Sequence, residues 1–431
     1  MPPRPRVRAI PRRWLLAGAA AYASAELGSG LLLGRFFDWG RAEALLFFAF
    51  RPWLLVAAAL LVRRFDSGSR AACYALALLT AGLSESLLLV AMGGAPWPEM
   101  LRGWAAGGAL VLGADLLFQL GRRSGHRAGT PVAALLAALM LLVPGALRPY
   151  EALALGPTAS RPVAARPSLL LMTGLPILWG ETGPFDPASR PAAAYRALQH
   201  EFAVRPLDFL DGNSLSPSGL MLLAQPRALA PTELVALDHW ARQGGRILIL
   251  ADPDLVRPTA LPAGDLRRPP PVSLLSPLLA HWGLRLEPAP ERRLALEMLR
   301  DGRHLRRLAM AAPGRFLASG GQCRTGPRDF LALCRIGRGR ALLVADSDLL
   351  HDRLWAAPGP RGAERHARLA DNPLIVAGWL DRLGGRHRER AAPPVRWQSP
   401  GAARAEALLL ALLPILAASV GAIGLARFRR R

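Results

Sequence analysis

Six stretches of mostly apolar residues constrain this chain more than any other feature. A helix needs about 20 such residues to cross a bilayer, because lipid offers no partner to backbone N–H and C=O groups. The stretches are Trp14–Leu33, Ala42–Val62, Ala71–Met92, Leu101–Leu120, Pro131–Leu147 and, after a long gap, Ala405–Ala426. The second contains Arg51-Pro52. It reads either as one helix with a buried charge or as a short re-entrant piece followed by a span. The first reads as a retained span and not a cleaved leader, since four more follow it. The expected layout is a five-helix transmembrane bundle over 1–150 and a Pro-rich linker over 151–167. An extracytoplasmic α/β domain follows over 168–385, then a tether over 386–404 and a C-terminal transmembrane helix over 405–427.

The charge balance, 54 basic against 31 acidic residues and +23 net, bears on topology more than on partners. Every one of the 54 is arginine, and asparagine occurs only at Asn213 and Asn372. Without lysine the chain cannot build a P-loop, a kinase strand lysine or a Schiff base. The arginine surplus is spread along the chain with no interleaved aromatic platforms, so nucleic acid is not an expected partner. Cytoplasmic loops retain arginine. With the N-terminus inside, those loops hold 15 arginines: 4, 6, 8, 12 and 13, then 63, 64 and 70, then 122, 123 and 127, and finally 427 and 429–431. The opposite short loops hold three: Arg35, Arg41 and Arg102. The segment from about 150 to 400 is therefore expected outside the cytoplasm, in the periplasm of a bacterial inner-membrane protein, with both termini cytoplasmic.

Four ionisable residues fall inside spans: Glu26, Arg51, Glu85 and Asp115. Such residues mark functional sites by default, and they otherwise pair or snorkel. Glu26 and Asp115 are placed within reach of the interface. Glu85 lies mid-span in Ser84-Glu85-Ser86 and is the strongest intramembrane candidate, with Arg51 as a partner. Gly103, Gly107, Gly108 and Gly113 suggest close helix packing.

Beyond the linker, short apolar runs alternate with amphipathic stretches, which is the grammar of an α/β sheet. Strands are expected at Ser168–Thr173, Val204–Phe209, Gly219–Ala224, Arg246–Ala251 and Arg340–Ala345. Helices are expected at Ala192–Phe202, Thr232–Gln243, Leu274–Trp282 and Asn372–Leu383, with antiparallel strands within 303–336 and a hairpin turn at Gly337-Arg338-Gly339. This pattern gives a mostly parallel three-layer sandwich of flavodoxin-like or amidotransferase-like type. Ligands gather at the carboxyl ends of such strands. Two ends carry paired acids, Asp252/Asp254 and Asp346/Asp348, and Asp208/Asp211 follows a third. If adjacent, they could bind a ligand or a hard cation, or do acid–base work. Their bland alternative is to cap helices or close Asx-turns. His351-Asp352 is near enough in sequence to join them. Cys323 and Cys334 flank an expected hairpin in a compartment that permits a disulfide, whereas Cys73 lies in a span. G-x-S-x-G, H-x-x-x-H and C-x-x-C are absent, so neither metal nor cofactor is expected, and the domain reads as a binding module rather than an enzyme.

One run resembles a known pattern. It comprises Leu222-Leu223-Ala224-Gln225-Pro226-Arg227-Ala228-Leu229, Pro231-Thr232-Glu233-Leu234, Leu237-Asp238 and Gly244-Gly245-Arg246 through Asp252-Pro253. It resembles the auxiliary extracytoplasmic domain of ABC-type uncharacterised transport systems, the gliding-motility auxiliary type. It is also similar to a related bacterial family with the same membrane-flanked layout. Ala345-Asp346-Ser347-Asp348 followed by Asn372-Pro373-Leu374 is similar to the closing strand and helix of these families. The resemblance covers about 165–385. It implies a fold related to class I glutamine amidotransferases without their catalytic Cys, since Asp252 stands at the matching strand end, and hence a catalytically silent relative. The five-span bundle departs from the single span usual there.

The leading expectation is thus a non-catalytic accessory component of an ABC-type transport or envelope system, contacting the lipid bilayer, permease subunits and an ATPase supplied in trans. The alternatives are an extracytoplasmic hydrolase or transferase using the strand-end aspartates, and a bundle that itself transports, with Glu85 on the pathway.

Overall fold

The computed structural model describes residues 9–33, 36–39, 41–92, 97–123, 132, 147–155, 166–183, 186–187, 189–212, 214–215, 219–301, 304–357, 367–386, 395–397 and 402–428. The chain divides into two compact units, Met1–Ala159 with Ala391–Arg431, and Ser160–Arg390.

Among the described residues of the first unit, four helices are long and apolar enough to cross a membrane, at Arg12–Leu33, Ser67–Ala91, Met100–Arg122 and Ala405–Arg427. The helices are α1 (Arg12–Leu33), α2 (Ala44–Val62), α3 (Ser67–Ala91), α4 (Trp97–Arg123), the short α5 (Arg148–Leu155) and a C-terminal helix, Ala402–Phe428. α2 is one continuous helix through Pro52, apolar from Phe50 to Val62, so a helix with a buried charge is what forms around Arg51. Nearly all of the expected fifth span, Pro131–Leu147, lies outside the described residues, as do Arg4, Arg6, Arg8, Arg35, Arg127 and Arg429–Arg431 and most of the linker. Packing between helices uses missing side chains. A Cβ on Gly30 would overlap Phe47, one on Gly82 would overlap Trp104, and one on Gly103 would overlap Phe48. Small residues at such crossings let backbones approach where lipid supplies no hydrophobic drive.

The second unit is built on a seven-stranded sheet. Its elements are β1 (Ser168–Thr173), α6 (Ala193–Glu201), β2 (Ala203–Pro206), β3 (Leu220–Ala224), α7 (Pro231–Arg242), β4 (Arg246–Leu250) and α8 (Ser276–His281). Then come β5 (Leu284–Glu287), β6 (Leu294–Asp301), β7 (His304–Ala311), β8 (Arg315–Ala318), β9 (Cys323–Thr325), β10 (Leu331–Ile336), β11 (Gly339–Val344) and α9 (Asn372–Leu383). The sheet order is β9-β10-β11-β4-β3-β1-β2. From β11 to β2 all pairings are parallel, and β9, β10 and β11 pair antiparallel. The parallel part has the 2-1-3-4-5 order of doubly wound sheets, whose direction of winding reverses between β1 and β3. β3 is buried at every position and β4 at all but its first, which requires cover on both faces. Right-handed crossovers running in opposite directions from the switch point put α6 and α7 on opposite faces, and α9 packs beside α6.

The strands stop where the expected runs thin out. β2 ends at Pro206, short of Phe209; Leu207 N still donates to Leu171 O at 2.8 Å, so Pro206 occupies an outward position of this edge strand, where no ladder N–H is required. The antiparallel region is larger than 303–336. It starts at β5, pairing with β8, and includes the β6–β7 hairpin from Leu294. Leu294 and Leu296 are exposed and charges break up the run, so no clean alternation marked it. Gly337 turns between β10 and β11 at φ +55°. Cys323 and Cys334 face each other across β9 and β10 and form a disulfide.

Candidate functional site

The carboxyl ends of β4 and β11 lie side by side, because the two strands pair in register from Arg246↔Arg340 to Leu250↔Val344. This brings together three of the four predicted site residues. Asp252 has no exposed surface and accepts hydrogen bonds from Ser347 N (3.0 Å), Ser347 Oγ (3.3 Å) and Asp348 N (3.4 Å), all in the turn after β11. Its other oxygen accepts from Asp254 N at 2.9 Å. Asp348 returns the contact. Its Oδ2 accepts from Val256 N, in the loop after β4, at 2.7 Å. Asp346, also without exposed surface, accepts from Ala311 N at the end of β7 and from Leu349 N, both at 2.7 Å. The carboxylates therefore stitch three loops through backbone N–H groups, as buried polar groups must be satisfied. Asp254 does not join them; it points to Arg292, with which it forms an ion pair.

Three buried acids this close raise one another's proton affinity. Desolvation, then the charges of Asp252 and Asp348, hold Asp346 well above the usual carboxylate range. Burial, opposed by the Val256 N–H and reinforced by Asp252, pushes Asp348 up to about 6. Burial also raises Asp252 against four hydrogen bonds that favour its charge. Asp348 Oδ1 is buried without a hydrogen-bond partner. Nearby, half-buried Arg257 feels the charges of Asp352, Asp348 and Glu181. His351, pushed down to about 4 by burial and by Arg257, is neutral at physiological pH. Asp352 caps α6, accepting from Ala193 N at 2.9 Å and Ala194 N at 3.2 Å. Asp211 closes a turn with Ser214, and Asp208, whose carbonyl accepts from Arg227, lies with the Arg227–Glu233 ion pair. Among the described residues no group of three or more His, Cys, Asp or Glu side chains is arranged to hold a metal ion.

Two further residues complete this edge. Gln225, at φ +41° just past β3, has no exposed surface; its Oε1 accepts from Asp252 N at 2.9 Å and its Nε2 donates to the carbonyls of Asp252 and Pro270. The signal for it is a lone polar residue after five apolar ones. Its carbonyl accepts from Gly174 N at 3.0 Å, at the switch point, and a Cβ on Gly174 would stand 2.7 Å from that oxygen. Only glycine permits this approach. Asn372, one of two asparagines in the chain, uses both side-chain atoms on backbone: Oδ1 accepts from Ala309 N, and Nδ2 donates to Ala309 O and Leu349 O. Its rarity in a chain this poor in asparagine was the legible hint.

The helix bundle carries a different cluster. Arg51 has no exposed surface and lies between Glu26 of α1 and Glu85 of α3, also fully buried. Its Nη2 donates to Glu85 Oε2 at 2.8 Å and its Nε donates to Glu26 Oε1. Glu26 thus pairs with Arg51 inside the bundle, because its helix face turns toward α2 and α3. Asp115 pairs with Arg70 and accepts from the Tyr74 hydroxyl, both at 2.9 Å.

These features define a protein with helices long and apolar enough to cross a membrane and a mixed α/β domain in which buried carboxylates lock the carboxyl ends of two central strands. Residues 166–290 match the family described as "ABC-type uncharacterized transport system", less than a third of the chain. That match supports an accessory role in transport. No curated protein matches. Among solved structures, the exo-beta-1,4-mannosidase from Opitutaceae bacterium strain TAV5 is similar over 52% of this chain and 36% of its own, at 13% identity and a TM-score of 0.24. The chain covers about a third of that enzyme, and so slight a likeness carries nothing about activity.

Proposed function

We propose that this chain is a non-catalytic accessory component of an ABC-type transport or envelope system. In this reading it crosses the bacterial inner membrane several times, with both termini cytoplasmic and the α/β domain in the periplasm. The match of residues 166–290 to the transport-system family carries the proposal, and the arginine asymmetry of the short loops supports the orientation. Lacking lysine, the chain has no P-loop of its own, so a separate subunit hydrolyses ATP.

The α/β domain recognises a partner or ligand along the edge held by Asp252, Asp346 and Asp348, with Asp254 and its partner Arg292 at the rim. Asp252 and Asp346 spend their oxygens on backbone N–H groups, which favours holding the binding loops over hydrolase or transferase chemistry. Purification of the full chain from its own membranes in mild detergent should return an ABC ATPase and a permease. Recovery of the lone chain in every detergent tried would rule out a stable complex. Asp252→Asn and Asp346→Asn variants that fold, bind their partners and yet lose all function in a deletion strain would favour the enzyme reading instead.

A further inference from the structure

We propose that Glu26 and Glu85 form a proton-binding site inside the helix bundle, with Arg51 as its fixed counter-charge. Three helices deliver these side chains to one place: α1 brings Glu26, α2 Arg51 and α3 Glu85, none with exposed surface. One guanidinium faces two carboxylates. With both ionised the cluster carries a net charge of −1 in a helix interior, and an uncompensated buried charge is neutralised by taking up a proton.

The hydrogen-bond inventory has a place for that proton. Glu26 Oε2, Glu85 Oε1 and Arg51 Nη1 are buried without partners. So is the Tyr22 hydroxyl, one helical turn before Glu26 on the same face of α1. A protonated carboxyl supplies the O–H donor that two facing carboxylates lack, and the phenol can either donate to that pair or accept from it. Arg51, whose charge is permanent, cannot release the proton in its place. From α5, Tyr150 also senses all three charges, and its hydroxyl donates to Phe48 O at 3.3 Å. From α4, Gly107 contributes only room: a Cβ there would lie 3.2 Å from Arg51 Cδ. Phe48 covers the guanidinium with its ring centroid 4.4 Å from Cζ. The C-terminal helix packs on α1 and α3 and buries Ala407, Ala411, Ile415 and Ala418, none of them ionisable. The buried, unpartnered Ser84 and Ser86 hydroxyls flank Glu85 in sequence. The step is a simple transfer: one carboxylate accepts a proton from water, an O–H bond forms, hydroxide is left to the solvent, and nothing is oxidised or reduced.

Infrared spectroscopy of the full chain in lipid nanodiscs, in sodium-free buffer at neutral pH, tests this. The wild-type minus Glu85→Gln difference spectrum should contain one protonated-carboxyl C=O band that shifts in D₂O. Glu26→Gln should remove the same band, and Asp115→Asn should leave it. Because glutamine mimics the protonated group, Glu85→Gln should melt no lower than wild type. A difference spectrum that contains only ionised-carboxylate bands overturns the proposal. So does a Glu85→Gln variant that unfolds, or a wild-type band that disappears on adding sodium chloride, which would identify a metal cation as the occupant.

Discussion

Both units bury carboxylates, and Asp252 and Asp346 are satisfied in a way opposite to Glu26 and Glu85. In the α/β domain Asp252 and Asp346 face backbone N–H groups of neighbouring loops, so each is part of the chain path. In the bundle Glu26 and Glu85 face one shared side chain, and polar atoms on all three residues stay unpartnered. A buried carboxylate whose two oxygens both accept from backbone donors works as a strut. A side-chain cluster with spare donors and acceptors retains capacity for a proton. Burial alone does not separate the two; the inventory of hydrogen-bond partners does.

The largest effect expected from disturbing this contrast is at Arg51. Arg51→Met leaves the Glu26/Glu85 pair without its counter-charge in a low-dielectric interior and should cost about 3–5 kcal/mol, seen as loss of monodisperse protein in detergent. Adding Glu26→Gln and Glu85→Gln to that variant should restore it, since a cluster removed whole is tolerated far better than one broken. In the α/β domain, Asp346→Ala leaves the N–H groups of Ala311 and Leu349 unpaired. Roughly 2–4 kcal/mol should be lost, with faster hydrogen exchange confined to β7 and the turn after β11. No second substitution of a side chain should rescue it, because the orphaned partners are backbone.

Reduction of the Cys323–Cys334 disulfide, which closes a short loop at the sheet's antiparallel edge, should cost about 2–3 kcal/mol. The change should appear as a lower melting temperature with dithiothreitol, absent in the Cys323→Ala/Cys334→Ala variant.

The last effect is in pH dependence. Asp348 is held at about 6 against an ordinary 3.8, so between those values the folded chain keeps a proton that the unfolded chain has released. Its contribution, on the order of 3 kcal/mol at most, is fully present below about pH 4 and is lost as pH rises through about 6. Glu233 has the opposite sign. The Arg227 guanidinium, with the N–H groups of Ala230 and Leu210, holds it at about 2, so its contribution is lost as pH falls toward that value. Asp348→Asn should flatten the melting temperature between pH 4 and 6 and leave the acid limb unchanged.

β1, β3, β4, β11 and α9 were legible because each is a largely buried apolar run set off by punctuation, such as Gly244-Gly245 before β4 and Gly384-Gly385 after α9. The strand-end aspartates were visible as acids following apolar runs, and their two candidate roles were both on the table. Which role each oxygen takes was not visible, because it depends on which backbone N–H groups converge from segments up to 96 residues away. Asp254 looked like the twin of Asp252 two residues earlier, yet the bend at Pro253 sends it to Arg292. The β6–β7 hairpin escaped notice because exposed leucines and interspersed charges blur its alternation.

Local chemistry, then, was decided by the sequence itself: helices long and apolar enough for a membrane, a wound α/β sheet, and no lysine for nucleotide chemistry. Only the tertiary structure decided which polar groups meet. Arg51, Glu26 and Glu85 come from three helices, each buried for its own apolar face, and helical phase brings them together. That phase sums small rotations over many residues, whereas apolar length is a property of each segment alone.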